Sequence, residues 1–115
     1  MKKYLAVFTG STAAAVAWMA LSDSERQQRH AAGIAAWTKW AADNAASIVD
    51  IGGHLSRTTL VSRQGISDAG NDLGAYTIVS AESKEAAASL FLNHPHFTIF
   101  YGEAVEVMEV LSVPA

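Results

Sequence analysis

The order in which apolar and helix-forming runs alternate restricts the fold of this chain more than any other feature. A short apolar run comes first. An alanine-rich run follows, in which apolar residues recur at steps of three and four, as on one face of an amphipathic helix. Two β-rich runs, a second helical run and a final apolar run complete the order β-α-β-β-α-β, the split βαβ pattern. Strands are predicted at residues 3–9, 58–62, 75–80 and 104–113, and helices at 25–50 and 84–94.

The predicted helix ends rest on capping residues. Ser24 is predicted to cap the first helix and Ser83 the second. Gly52 and Gly53 are predicted to end the first helix, and Pro95 the second, because the residue before a proline avoids helical angles. We therefore expect an α+β, ferredoxin-like fold with both helices on one face of an antiparallel sheet. Residues 63–65 are predicted as a turn and residues 67–74 as a loop.

Size and charge narrow the classes of function. The chain has 115 residues, and we expect one domain over residues 1–115. Its formal net charge is −3 and its eight Lys and Arg are scattered, so we expect no nucleic-acid partner. There is no cysteine, which excludes disulfides and thiolate nucleophiles. No motif indicates a cofactor or a metal, and none is predicted.

The first twenty residues allow two interpretations. Lys2 and Lys3 before an apolar stretch resemble a secretory signal, which would make this a secreted domain. However, Gly10, Ser11 and Thr12 interrupt the stretch. We favour a buried strand at residues 3–9 and a short helix at 13–21, since the fold needs this strand. We expect no membrane association and a cytoplasmic location.

Apolar side chains fall on both faces of the predicted strands, although two helices cover only one face. Residues 4–8 are apolar without alternation, and residues 75–79 carry apolar or weakly polar groups on both sides. A second subunit is the simplest cover for the open face, so we predict a homodimer through the sheet faces. In the last strand Val105, Val107 and Leu111 should lie on one face, and Ala104, Met108 and Val110 on the other.

Several local segments occur in a characteristic order along the chain. They are Lys3-Tyr4-Leu5, the helix with Trp37 and Trp40, residues 74–79, Ala81-Glu82-Ser83, Glu85-Ala86-Ala87, His94-Pro95-His96 and residues 105–108. Taken in this order, they resemble the YCII-related family of dimeric α+β-barrel proteins, also called the DGPF group. The resemblance implies a ferredoxin-like fold, a homodimer and a cleft between sheet and helices, but no specific activity. Some members pair a first-helix His with an Asp before a proline; here those positions hold Ala36 or Trp37, and His94, so the pair is not reproduced.

His94-Pro95-His96 is the most conspicuous local motif. Two imidazoles beside a pocket would suit acid and base catalysis near neutral pH, so His96 and His94 are the candidate catalytic residues. We expect His94 to end the second helix and cap its carbonyls, where the helix dipole raises the pKa of a histidine. His96 should be the pocket group. In the alternative interpretation both residues are structural.

Five further residues are candidate ligand contacts. His30 and Trp37 fall on the apolar stripe of the first helix, and Trp40 at its edge. Core packing is the alternative role for all three. The candidates are His30, Trp37, Trp40, Tyr76 and Tyr101.

Two functions follow from this pattern. One is a small-molecule-binding homodimer, with histidine-based acid/base chemistry in a cleft between sheet and helices. The other is a non-catalytic interaction or regulatory module whose aromatic residues only fill the core.

Overall fold

The computed structural model describes residues 1–113 and contains a four-stranded antiparallel sheet and a separate two-stranded hairpin. Along the chain the elements are β1 (Lys2–Thr9), α1 (Thr12–Met19), α2 (Asp23–Asp43), β2 (Ile48–His54), β3 (Thr58–Ser62), β4 (Gly65–Ala69), β5 (Leu73–Ala81), α3 (Lys84–Ser89), α4 (Pro95–Thr98) and β6 (Ala104–Glu109).

The main sheet has the strand order β2-β5-β1-β6, and every neighbouring pair is antiparallel. Helices α2 and α3 pack on the same face of it. This is the predicted α+β, ferredoxin-like arrangement, and the fold class is confirmed. Residues 3–9 form the predicted strand as part of β1, which lies between β5 and β6.

The core lies between the helices and one face of the central strands. Side chains of β1 alternate, so Tyr4, Ala6 and Phe8 are buried on the helical face. Phe91, after α3, packs edge-on against Phe8 with ring centroids 5.8 Å apart. Burying a ring such as Phe8 contributes about 2 kcal/mol. The packing of Phe8 therefore fixes the position of β1 against the helices.

The prediction placed the second strand of the sheet wrongly. Helix α2 ends at Asp43, and residues 48–54, predicted as helix and helix end, form the edge strand β2. Gly52 and Gly53 lie in an irregular part of β2 rather than at a helix end. Gly52 has a φ of 71°, and a Cβ there would collide with the carbonyl oxygen of Tyr76, so only glycine fits.

The residues predicted as the second strand belong instead to a hairpin outside the main sheet. Strand β3 pairs with β4, which takes up residues 67–69 of the stretch predicted as a loop. The predicted turn after Ser62 is present at Arg63 and Gln64. The hairpin carries two exposed apolar side chains opposite each other, Val61 and Ile66. A β-rich sequence therefore formed a strand, but with a local partner.

Several element ends also differ from the prediction. Ser22, not Ser24, caps α2: its hydroxyl accepts from the Glu25 N–H, and the Glu25 carboxylate accepts from the Ser22 N–H, a complete capping box. Ser83 caps α3 as predicted. Helix α3 ends at Ser89, and His94 caps a separate short helix, α4. Within residues 1–113 no helix combines the length and the apolar character needed to span a membrane.

The open face of the sheet has an apolar centre bordered by charged side chains such as Lys3 and Glu106, and neither α2 nor α3 covers it. Strand register places Leu5 beside Ile78 and Met108, and Val7 beside Tyr76. Val105 and Val107 lie on the helical face and Ala104 and Met108 on the open one, as expected from alternation.

Candidate functional site

A cavity of about 630 Å³ lies at the end of the sheet where β1 ends and β5 begins, under helices α1 and α2. This volume is in the range of small-molecule sites. The lining residues are Phe8, Thr9, Gly10, Ser11, Ala14, Ala15, Trp18, Met19, His30, Ile34, Trp37, Thr38, His54, Gly74, Ala75, His96, Phe100, Tyr101 and Gly102.

Aromatic rings form much of the cavity wall. Trp37, from α2, lies with its ring centroid 4.9 Å from that of Phe8 and 6.1 Å from that of Phe100. Trp18, the aromatic residue of α1, packs edge-on against Tyr101 at 5.8 Å. Since α1 has no buried residue, these ring contacts hold it over the cavity. The wall therefore suits a ligand with an apolar, planar body.

His96 presents one ring nitrogen to protein and leaves the other available. Its Nε2 lies 2.9 Å from the carbonyl oxygen of Thr9 and 3.1 Å from that of Ala104. Both partners are acceptors, so Nε2 carries the proton and Nδ1 is the lone-pair acceptor of the neutral ring. Within residues 1–113 Nδ1 has no hydrogen-bond partner. Burial lowers the pKa of His96, opposed by the two carbonyl contacts.

The His96 ring can occupy its position only because residue 102 is a glycine. A Cβ on Gly102 would collide with the Cε1, Nε2 and Cδ2 atoms of that ring. The residue before it, Tyr101, has a φ of 57°, which turns the chain sharply into the cavity wall. The Arg29 guanidinium stacks over the Tyr101 ring at 4.8 Å and donates to the carbonyl of Ile99. Arg29 therefore stabilises this turn through two contacts, one with the Tyr101 ring and one with the backbone of Ile99.

His94 is not the helix C-terminal cap that the sequence predicted. It is the N-cap of α4, is 0% exposed, and its Nδ1 accepts the backbone N–H of His96 at 3.0 Å. Its ring sits in an aromatic cage, 4.4 Å from Trp37 and 4.6 Å from Trp40. Desolvation, with the charge of His96 second, lowers the pKa of His94 to about 4. The predicted rise in pKa was wrong because the cage, not a helix C-terminus, surrounds the ring.

The other sequence candidates divide between the cavity and elsewhere. Trp37 and Tyr101 line the cavity, and so does His30, which is exposed rather than part of a buried stripe. Trp40 lies outside the lining; its Nε1 donates to the carbonyl of Leu90 at 2.8 Å and its ring packs on His94. Tyr76 lies on the opposite face of the sheet. The structure thus brings together His30, Trp37, His96 and Tyr101.

The cavity also contains His54 and Trp18, which are not among the sequence candidates. His54 was hidden because the chain around it was predicted to follow a helix rather than to form the end of β2. Trp18 lies in the short helix predicted at 13–21, and no local pattern indicates that this helix lies over the sheet.

The cavity is uncharged. Of the described residues that line it, none is Asp, Glu, Lys or Arg. Residues 1–113 also hold no group of three or more His, Asp or Glu side chains able to hold a metal ion. The polar character of the site therefore comes from imidazole, hydroxyl and backbone groups.

Comparison with known proteins shows the fold. No protein-family model matches the chain, and no curated protein sequence matches it. One similar solved structure is 5-chloro-2-hydroxyhydroquinone dehydrochlorinase (TftG) from Burkholderia phenoliruptrix AC1100, in complex with 2,5-dihydroxybenzoquinone. The two chains are 20% identical, the match covers 92% of this chain and 90% of the other, and the TM-score is 0.54.

Proposed function

We propose that this protein binds a small, uncharged or weakly acidic, partly apolar molecule in the cavity, with His96 as the hydrogen-bond and proton acceptor. The observation that carries the proposal is the fixed tautomer of His96. Its Nε2–H is held by two backbone carbonyls, which leaves Nδ1 as an acceptor in an aromatic-walled cavity. A ligand hydroxyl at Nδ1 would find an unpaired acceptor there.

The charge of the ligand follows from the lining. Burial lowers the pKa of His96, so its ring is neutral at pH 7, and none of the described lining residues supplies a fixed cation. A phosphate or carboxylate would lose its hydration without gaining an ion pair. A hydroxyl, by contrast, loses little on entry and can donate a hydrogen bond to Nδ1.

The roles of the two candidate catalytic residues therefore separate. His96 is proposed as the group that contacts the ligand. His94 does not line the cavity and is proposed to position His96, since its Nδ1 holds the His96 N–H at the start of α4.

The similar solved structure supports a ring-shaped ligand. That protein is described as a dehydrochlorinase and was solved with a dihydroxybenzoquinone. The likeness in sequence is too low to transfer a reaction. A ligand of that kind, flat and bearing oxygens, does match a cavity walled by Phe8, Trp37 and Phe100.

We also propose a YCII-like domain over residues 1–115 that forms a homodimer through the open sheet face. The partly exposed apolar group of Leu5, Ile78 and Met108 supports the dimer, because α2 and α3 pack on the other face. The residue pair of some family members is not reproduced here, because those positions hold Ala36 or Trp37, and His94.

A non-catalytic interaction module is the second candidate, favoured by the β3–β4 hairpin. Val61 is 73% exposed and Ile66 is 77% exposed at its tip. If interaction is the function, removing this hairpin should abolish it while the cavity stays unoccupied by any small molecule tested.

Titration with 4-nitrophenol tests the proposed function, since its absorbance reports whether the bound phenol keeps its proton. We expect saturable binding with a shift away from the phenolate spectrum, because the uncharged lining and a His96 ring of lowered pKa favour the neutral phenol. His96→Phe keeps a ring at this position but has no acceptor nitrogen, so it should bind the phenol about tenfold more weakly. Tyr76→Phe, on the opposite face, is the matched control and should behave as wild type. Near-ultraviolet circular dichroism verifies that each variant is folded, and equal affinities of wild type and His96→Phe would contradict the role of His96.

A further inference from the structure

His54 is an imidazole of the cavity that the proposed role of His96 does not use. It ends β2, directly after the bulge at Gly52 and Gly53, and pairs with Ala75. Ala75 is buried on the helical face, so this register turns His54 toward the cavity, which it lines. The residue is exposed, so its ring nitrogens are open to a ligand.

His54 and His96 lie against different members of one pair of contacting rings, whose planes are tilted by 42°. The His54 ring centroid is 6.2 Å from that of Trp37, and the His96 ring centroid is 5.2 Å from that of Phe8. Trp37 and Phe8 are themselves 4.9 Å apart. The two imidazoles therefore flank an apolar wall.

In the part of the chain that the structure describes, no three His, Asp or Glu side chains come together as metal ligands. The two histidines are therefore considered as separate hydrogen-bonding groups. A ring lying on Trp37 and Phe8 would have one edge toward His96 and another toward His54.

The uncharged lining limits what those edges can carry. An imidazole nitrogen accepts from a hydroxyl or donates to a ketone oxygen. Each such hydrogen bond adds affinity only where the ligand has an oxygen. A ligand without one either leaves the water bound to the imidazole or displaces it without replacing its hydrogen bond. Two separated imidazoles therefore favour a ligand that carries two separated oxygens.

We infer that the cavity selects an aromatic ring bearing two oxygen substituents, one facing His96 and the other facing His54. This rests on the proposed function and adds the substrate class and a second specificity residue. Ionic groups on the ring are disfavoured, since none of the described lining residues carries a fixed charge.

Paired calorimetric titrations with phenol and hydroquinone under nitrogen test the inference. Wild type should bind hydroquinone about tenfold more tightly than phenol, as expected for one further hydrogen bond. His54→Phe keeps a ring against Trp37 but has no polar nitrogen, so it should bind phenol as wild type does and lose the preference. Tyr76→Phe should keep the preference. Near-ultraviolet circular dichroism verifies that each variant is folded.

The outcomes separate the two proposals. If neither compound binds to wild type, the proposed function is wrong. If both bind equally well, the cavity does take an aromatic ring, and only the two-oxygen inference is overturned. A preference for hydroquinone that persists in His54→Phe would overturn the assignment of His54.

Discussion

The buried ring of His94 predicts a protein that loses stability in mild acid. The neutral ring has its proton on Nε2, because Nδ1 accepts the backbone N–H of His96. Protonation must therefore occur at Nδ1, and an imidazolium there would face that N–H donor to donor. The added charge would also be enclosed by Phe8, Trp37, Trp40 and Phe91. Protonation of His94 therefore removes the hydrogen bond that caps α4 and places a charge inside the aromatic cage.

The size of the loss follows from the two pKa values. The pKa is about 4 in the folded chain against an ordinary value of 6.5. Between these values the unfolded state binds more protons, so the free energy of unfolding falls as the pH falls through this range. The contribution is fully present above pH 6.5. About 2 kcal/mol is lost by pH 5 and about 3 kcal/mol in total below pH 4.

Urea unfolding at pH 7 and pH 5, at one protein concentration, measures this loss. Wild type should be about 2 kcal/mol less stable at pH 5. His94→Asn keeps an N-cap acceptor without a titrating ring, so it should be less stable at pH 7 but much less sensitive to pH. A smaller sensitivity remains, because burial also lowers the pKa of His96.

The control is a core truncation outside the cage. Val79 is fully buried in β5, and Val79→Ala should lower the free energy of unfolding equally at both pH values. An unchanged stability of wild type between pH 7 and pH 5 would refute the reasoning. A His94→Asn variant as acid-sensitive as wild type would refute the assignment to this ring.

Two further substitutions test the site and the assembly. Gly102→Ala places a Cβ against the His96 ring, so it should lower the free energy of unfolding by about 1–3 kcal/mol and abolish 4-nitrophenol binding. Gly53→Ala, whose Cβ would have nothing within 4 Å, should do neither. Equal changes in melting temperature for the two variants would contradict this. Met108→Asp puts a charge on the open sheet face and should dissociate or unfold the homodimer, while Ala88→Asp, exposed on α3, should leave its sedimentation unchanged. A Met108→Asp dimer of wild-type stability would rule out that interface.

Much of the fold was accessible from the sequence because local signals agreed with it. The apolar run of β1, the Ser83 cap and the alternation of the last strand each predicted the observed element. The second strand was not accessible. Strand β2 has two adjacent glycines and an Asp, which lower strand propensity, and its bulged register with β5 depends on the Tyr76 carbonyl, which no local pattern reveals.

The site was accessible only in part, for a related reason. The sequence indicated His96 and Trp37, since unusual residue types at the end of an element are visible in one dimension. It gave His94 the wrong environment. Whether a histidine before a proline ends one helix or begins another depends on whether the intervening turn, residues 90–93, closes over an aromatic core. That is a tertiary property.

The error in the second strand also explains why His54 was missed. With 58–62 as the sheet strand, residues 50–57 are a surface connection and His54 has no defined direction. With β2 as the sheet strand, the bulge at Gly52 sets which side chains of β2 face the helices, and His54 is the last of them before the hairpin leaves the sheet. A one-residue shift in this bulge would turn the ring to the opposite face. Binding of a second polar group of the ligand therefore depends on the glycine backbone that precedes His54 as much as on the imidazole itself.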